Sequence, residues 1–63
     1  MKYMKERNGN LLIRTNKNGL LEKYDKTTNT WIRDYMLAEI YYGGIIVDEV
    51  SETEMNKLIK GGN

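Results

Sequence analysis

Two sets of side chains in this sequence have types and spacing that could do chemistry. The first is acidic. Asp48, Glu49, Glu52 and Glu54 cluster around Ser51, the only serine in the chain. Clustered carboxylates can hold a hard cation or exchange protons with a substrate. A calcium loop, however, alternates its oxygen ligands and carries a glycine at its sharp turn, and this cluster does neither. Ser51 followed three residues later by Glu54 reads instead as the start of a helix. No cysteine or histidine is present, which removes disulfides, zinc fingers and thiol or imidazole catalysis. The lysines and tyrosines have no evident pocket to perturb them. We therefore expect no catalytic residue, no metal and no cofactor, and a protein that is not an enzyme.

The second set is aromatic and cationic. Tyr24 and Trp31, beside Lys2, Arg14 and Arg33, are the ingredients of a platform for single-stranded nucleic acid. Rings stack on bases at about 1–3 kcal/mol each while cations follow the phosphates. Glu22 in the same row and the near-neutral net charge of +1 weigh against it. A cross-strand aromatic pair beside a salt-bridge ladder explains the same residues. Tyr41 and Tyr42 belong to a third possibility, an interface with another protein, where Tyr and Trp are typical anchors.

The elements that would carry these side chains are legible from turn chemistry. Asn-Gly occurs at Asn8-Gly9 and at Asn18-Gly19, each between strand-like runs, and is the strongest short-range hairpin signal. In "TNKNGL" Asn16 opens a type I turn that Gly19 closes in the left-handed region. A three-residue loop there sets Arg14 opposite Glu22 and Leu12 opposite Tyr24, whereas a two-residue loop would set Arg14 against Lys23. Opposite charges favour the former by a few tenths to about 1 kcal/mol. In "YDKTTNTW" Asp25 and the Thr and Asn residues after it are turn formers, leaving Tyr24 facing Trp31. The same loop type at Asn8-Gly9 predicts Met4 opposite Leu12. One face then carries Met4, Leu12, Tyr24 and Trp31, with a neighbouring row Lys2, Arg14, Glu22 and Arg33. The other carries Tyr3, Leu11, Ile13, Leu21 and Ile32. Both faces are partly apolar, so the pattern does not say which is covered.

Beyond Arg33 the pattern changes. "DYMLAEIYYGG" predicts a helix of about two turns, capped by Asp34 and stopped by Gly43-Gly44. Apolar nearly all round, it should be buried on several sides. A strand over 35–42 is the alternative, given Ile40, Tyr41 and Tyr42. "IIVDEV", residues 45–50, predicts an edge strand whose Asp48 and Glu49 discourage further pairing. The last helix has Ser51 as its cap, Glu54 completing the capping box, and Val50 with Met55 as a hydrophobic staple. Its stripe is Met55, Leu58 and Ile59, and Gly61 ends it.

Sixty-three residues allow one small domain, 1–63, which buries only about 60% of its unfolded surface. Residues 1–33 hold eight Lys/Arg against three Asp/Glu, and residues 34–63 hold two against six. Opposite halves suit either an anionic partner or two halves that face each other. No signal peptide or membrane-spanning run is evident, so we expect a cytoplasmic protein with no membrane contact.

Two resemblances follow from these residues. "YDKTTNTW" looks like the hairpin inside kelch-type propeller blades, a likeness confined to that turn; a propeller needs blades recurring at about 50 residues. The basic Asn-Gly meander, "YDKTTNTW", "IYYGGI" and "DEVSETEMNKLI" together resemble short uncharacterised proteins of low-GC Gram-positive bacteria and their phages. That resemblance implies no defined activity. A phage origin would suit a small binder that blocks or adapts a host protein.

The expected fold is α+β: a four-stranded antiparallel meander, a short helix, an edge strand and a C-terminal helix packed on the sheet. The expected function is a protein-interaction module for another protein or a second copy of itself, because the apolar surface exceeds what two short helices can cover. Its contact residues would be Tyr24, Trp31, Tyr41 and Tyr42, with Arg14 and Arg33 as polar partners. Binding of single-stranded nucleic acid through the same sheet face is the alternative.

Overall fold

The computed structural model describes residues 1–61. Four strands, β1 (Tyr3–Glu6), β2 (Leu12–Thr15), β3 (Leu21–Asp25) and β4 (Thr30–Ile32), form the expected antiparallel meander. A 3-10 turn (Tyr35–Ala38) runs into α1 (Glu39–Tyr42), the chain returns as β5 (Val47–Val50), and α2 (Glu52–Gly61) closes it. The sheet order is β4-β3-β2-β1-β5, so the last strand adds to the edge beside the first. The fold is α+β, as the turn and cap signals predict.

The second hairpin follows its turn chemistry. The Asn16 N–H donates to the Leu20 carbonyl at 2.8 Å, and the Asn16 side chain accepts from the Asn18 and Leu20 amides at 2.8 and 3.0 Å. Gly19 takes φ +80°, a left-handed geometry open to glycine at no steric cost. Arg14 lies opposite Glu22, and in the third hairpin Tyr24 lies opposite Trp31. Asp25 accepts from the Thr27 amide at 2.9 Å to tighten that turn, and Asn29 enters the left-handed region at φ 56°.

The first hairpin departs from expectation. Met4 pairs with Ile13, not Leu12, because the loop runs over four residues, 7–10, and closes with the Glu6 N–H on the Leu11 carbonyl at 2.9 Å. The added loop residue is Asn10, since Arg7 lies in the loop in either register. Arg7 is held by β5: its amide donates to the Ile46 carbonyl at 2.9 Å, continuing the β1–β5 ladder one residue beyond Glu6, and its guanidinium grips Asp48 through two hydrogen bonds of 3.2 and 2.7 Å.

A one-residue slip moves every β1 side chain to the other face. Met4 leaves Leu12, Tyr24 and Trp31 and joins Ile13, while Tyr3 takes the place opposite Arg14 expected for Lys2. The exchange gives the sheet a core. Met4, Ile13 and Leu37 form a buried cluster, flanked by Leu11, Leu21, Ile40 and Val47. Leu37 comes from the 3-10 turn, so that segment covers this face.

The opposite face has its own cover. Leu12, adjacent to Ile13 and so on the other side of β2, is buried too, and Met55 of α2 is buried outside the first cluster. Because α2 touches β1, it is the element available to shield that face. Its start carries the expected Ser51 cap, the Ser51 hydroxyl accepting from the Glu54 amide at 3.1 Å. The reciprocal half of the capping box, from the Ser51 amide to the Glu54 carboxylate, is not formed among the described residues. Leu58 and Ile59 are half-buried beside Met55.

The segment after β4 corrects a second expectation. Asp34 does cap it, accepting from the Met36 amide at 2.9 Å, and Gly43 stops it at φ 83°. Yet the first turn is 3-10, and only Leu37 of the segment is buried. A segment of two turns can put one narrow face on the sheet. Ile40 packs half-buried against the core, and Tyr35, Met36, Tyr41 and Tyr42 are left in water.

Candidate functional site

The six residues singled out from the sequence fall into two groups on different parts of the molecule. Tyr24, Trp31 and Arg14 gather on the face that Leu12 shares. The Tyr24 and Trp31 rings meet edge to face with centroids 5.3 Å apart, and Tyr3 reaches Trp31 at 6.2 Å. The Arg14 guanidinium carbon sits 4.6 Å from the Trp31 ring centroid, and its Nε donates to Glu22 at 2.8 Å. Asn16 adds a 3.4 Å hydrogen bond to the same carboxylate. The Arg14 hydrogen bond holds the Glu22 carboxyl below the usual carboxylate range, against a smaller opposing effect of burial. Tyr24 donates its hydroxyl to Asn29 at 3.1 Å. All four side chains, Tyr3, Arg14, Tyr24 and Trp31, are half-buried. Together they form a small second core.

Tyr41 and Tyr42 lie elsewhere, while Arg33 stands between the two groups: its charge adds to the Arg14 hydrogen bond in holding the Glu22 carboxyl down, and it also lines the groove described next. The 3-10 turn and α1 leave Tyr35 at 90%, Met36 at 70%, Tyr41 at 70% and Tyr42 at 82% exposed. Between this segment and the Lys17–Gly19 loop opens a groove of about 440 Å³, lined by Leu20, Leu21, Leu37, Ala38, Tyr35 and Tyr41 with Arg33 and Asp34 at its polar end. Leu20 and Ile32 extend the exposed apolar surface along the adjoining strands.

One carboxylate sets the geometry. Asp34 accepts from the Met36 amide through one oxygen and from the Lys23 ammonium, 2.7 Å away, through the other. The Lys23 contact, then the Met36 amide, holds its pKa below the ordinary aspartate value. It thereby ties the exit of β4 to β3 and fixes the angle at which the aromatic segment leaves the sheet. Arg33 beside it makes no hydrogen bond or ion pair among the described residues, and neither does the Glu39 side chain.

Two members of the acidic cluster are in charge pairs, and Glu52 and Glu54 are exposed on the first turn of α2. Asp48 binds Arg7 at 2.7 Å, which lowers its pKa, and Glu49 lies 3.8 Å from Lys2. Among the described residues no group of three or more acidic side chains is arranged to hold a metal, and no helix is long and apolar enough to cross a membrane.

Sequence reasoning counted Tyr35, Met36, Leu37, Ile40, Tyr41 and Tyr42 as surplus apolar surface; Leu37 and Ile40 go to the core instead, and the groove and Leu20's part in it were not seen. The signal was the mismatch between a segment apolar on all sides and a length of two turns, which cannot all be buried. No protein-family model, no curated protein and no solved structure matches this chain.

Proposed function

We propose that this protein is a non-enzymatic interaction module that binds another polypeptide through the segment 35–42 and the groove beside it. The observation that carries the reading is the exposure of three tyrosines and a methionine on one rigidly anchored segment. Contiguous apolar patches of this kind on small folds mark contact sites, and Tyr is an anchor residue at interfaces. Anchoring matters because a preformed surface loses less entropy on binding. The Asp34 cap and its Lys23 pair, together with buried Leu37, hold the segment in place.

Nucleic-acid stacking on the sheet finds less support. Trp31 already has the rings of Tyr24 and Tyr3 and the Arg14 guanidinium against it, and Glu22 neutralises Arg14. A base would have to displace contacts that hold the face together.

Photo-crosslinking in the source cells tests the reading. A benzophenone amino acid placed at Tyr41 should give a discrete protein adduct, and one at Lys57, exposed on α2, should not. No adduct from position 41, or equal adducts from both positions, would overturn it.

A further inference from the structure

We infer that the partner is a second copy of this chain, and that two molecules pair about a two-fold axis with their 35–42 segments antiparallel. The inference rests on the reading of this segment as a contact surface and names what occupies it.

Self-complementarity carries the argument. A two-fold contact uses the same patch on both molecules, so the patch must hold both the protruding and the receiving part. This one does. Tyr35 and Tyr41 stand exposed, and the same two residues form a wall of the 440 Å³ groove. The charges are self-complementary in the same way. Arg33 lies just before the segment and Glu39 begins its second half; Arg33 feels Glu22 only at longer range, and neither makes a close ion pair among the described residues. Antiparallel copies bring Arg33 of each molecule toward Glu39 of the other, making two symmetric pairs around an apolar centre at Met36. A copy supplies both matches from one patch, whereas an unrelated partner would have to meet each independently.

Area and net charge agree. An aromatic side chain offers about 150–250 Å², so the three exposed tyrosines alone present on the order of 500 Å² of the about 800 Å² that each partner commits to a standard interface. Met36 lies on the same segment, and Leu20 lines the same groove as Tyr35 and Tyr41. At a net charge of +1 two copies scarcely repel. Edge-to-edge pairing of the sheet is the weaker route to a dimer. In β4 the Thr30 and Ile32 partners of β3 alternate with Trp31, whose backbone groups alone point outward within that three-residue strand.

Sedimentation equilibrium of the intact chain from about 10 μM to about 1 mM, a range that covers moderate affinities, should show a monomer–dimer equilibrium that stops at two copies. Tyr35→Ser with Tyr41→Ser should weaken it by about 100-fold, with circular dichroism confirming the fold. Arg33→Glu alone and Glu39→Arg alone should each weaken it by roughly five-fold, and the double swap should restore it. That rescue separates a registered two-fold contact from unspecific stickiness. A strict monomer at the highest concentration, growth past two copies, or a double swap no better than the singles would overturn the pairing. A strict monomer that still forms a foreign adduct from position 41 would leave the interaction surface standing without the dimer; absence of both would end both.

Discussion

Glu22, Asp34 and Asp48 share one electrostatic position: each carboxylate is held by a neighbouring cation, and each has its pKa lowered for that reason. The sign of the pH dependence follows. A carboxylate whose folded pKa is depressed contributes stability that is fully present above its unfolded value and is lost as pH falls through the folded value. The melting temperature should therefore stay level between about pH 8 and about 5.5 and decline below about 4.5, near the unperturbed carboxylate range. Glu22→Gln should flatten part of that decline while lowering stability at neutral pH, since Arg14 would lose its partner beside Trp31. A melting temperature constant down to about pH 2 would contradict these pairings. Trp31, in contact with the Arg14 guanidinium and two tilted tyrosine rings, reports the transition by its fluorescence.

The two Asn-Gly hairpins look alike in sequence and are built differently. Gly19 sits at φ 80°, whereas Gly9 is not in the left-handed region and instead lies under the Glu6 carboxylate, which a Cβ would strike. Gly19→Ala should cost about 1–2 kcal/mol by urea unfolding, the penalty for an L side chain in that region. Gly9→Ala should cost less, because the Glu6 carboxylate is the far end of a flexible chain and can swing away. Equal losses would mean the loops are the same type after all. The helical elements repeat the lesson. Asp34 and Ser51 were recognisable as caps because a cap is a contact over two or three residues. The burial of the segment between them was not, since that depends on how wide a face the sheet offers.

Taken together, the molecule is a five-stranded sheet with one short helical element on each face and an aromatic strip left in water. A domain of this size carries roughly 0.05–0.15 kcal/mol of stability per residue, so its few fully buried side chains dominate. Ile13→Ala, at a position with no exposed surface, should cost about 2–5 kcal/mol and remove most of the cooperative transition. Tyr35→Ser should change folding stability by no more than about 0.5 kcal/mol, as expected of a side chain outside the core. Chemical denaturation of the two variants at about 1 μM, where mass action favours the monomer, checks this. A large loss for Tyr35→Ser there would mean that its ring is packed inside the monomer.

The sequence by itself determined what short-range contacts decide. The Asn16–Gly19 turn, the Arg14–Glu22 and Tyr24–Trp31 pairings, both helix caps and the α+β class are set by side chains a few residues apart meeting their own backbone or the facing strand. The tertiary structure alone decided the register of β1, the side on which Met4 and Tyr3 lie, and the exposure of Tyr35, Met36, Tyr41 and Tyr42. The physical reason is distance along the chain. Arg7 answers to Ile46 and Asp48, some forty residues away, and nothing in the residues beside it records that contact.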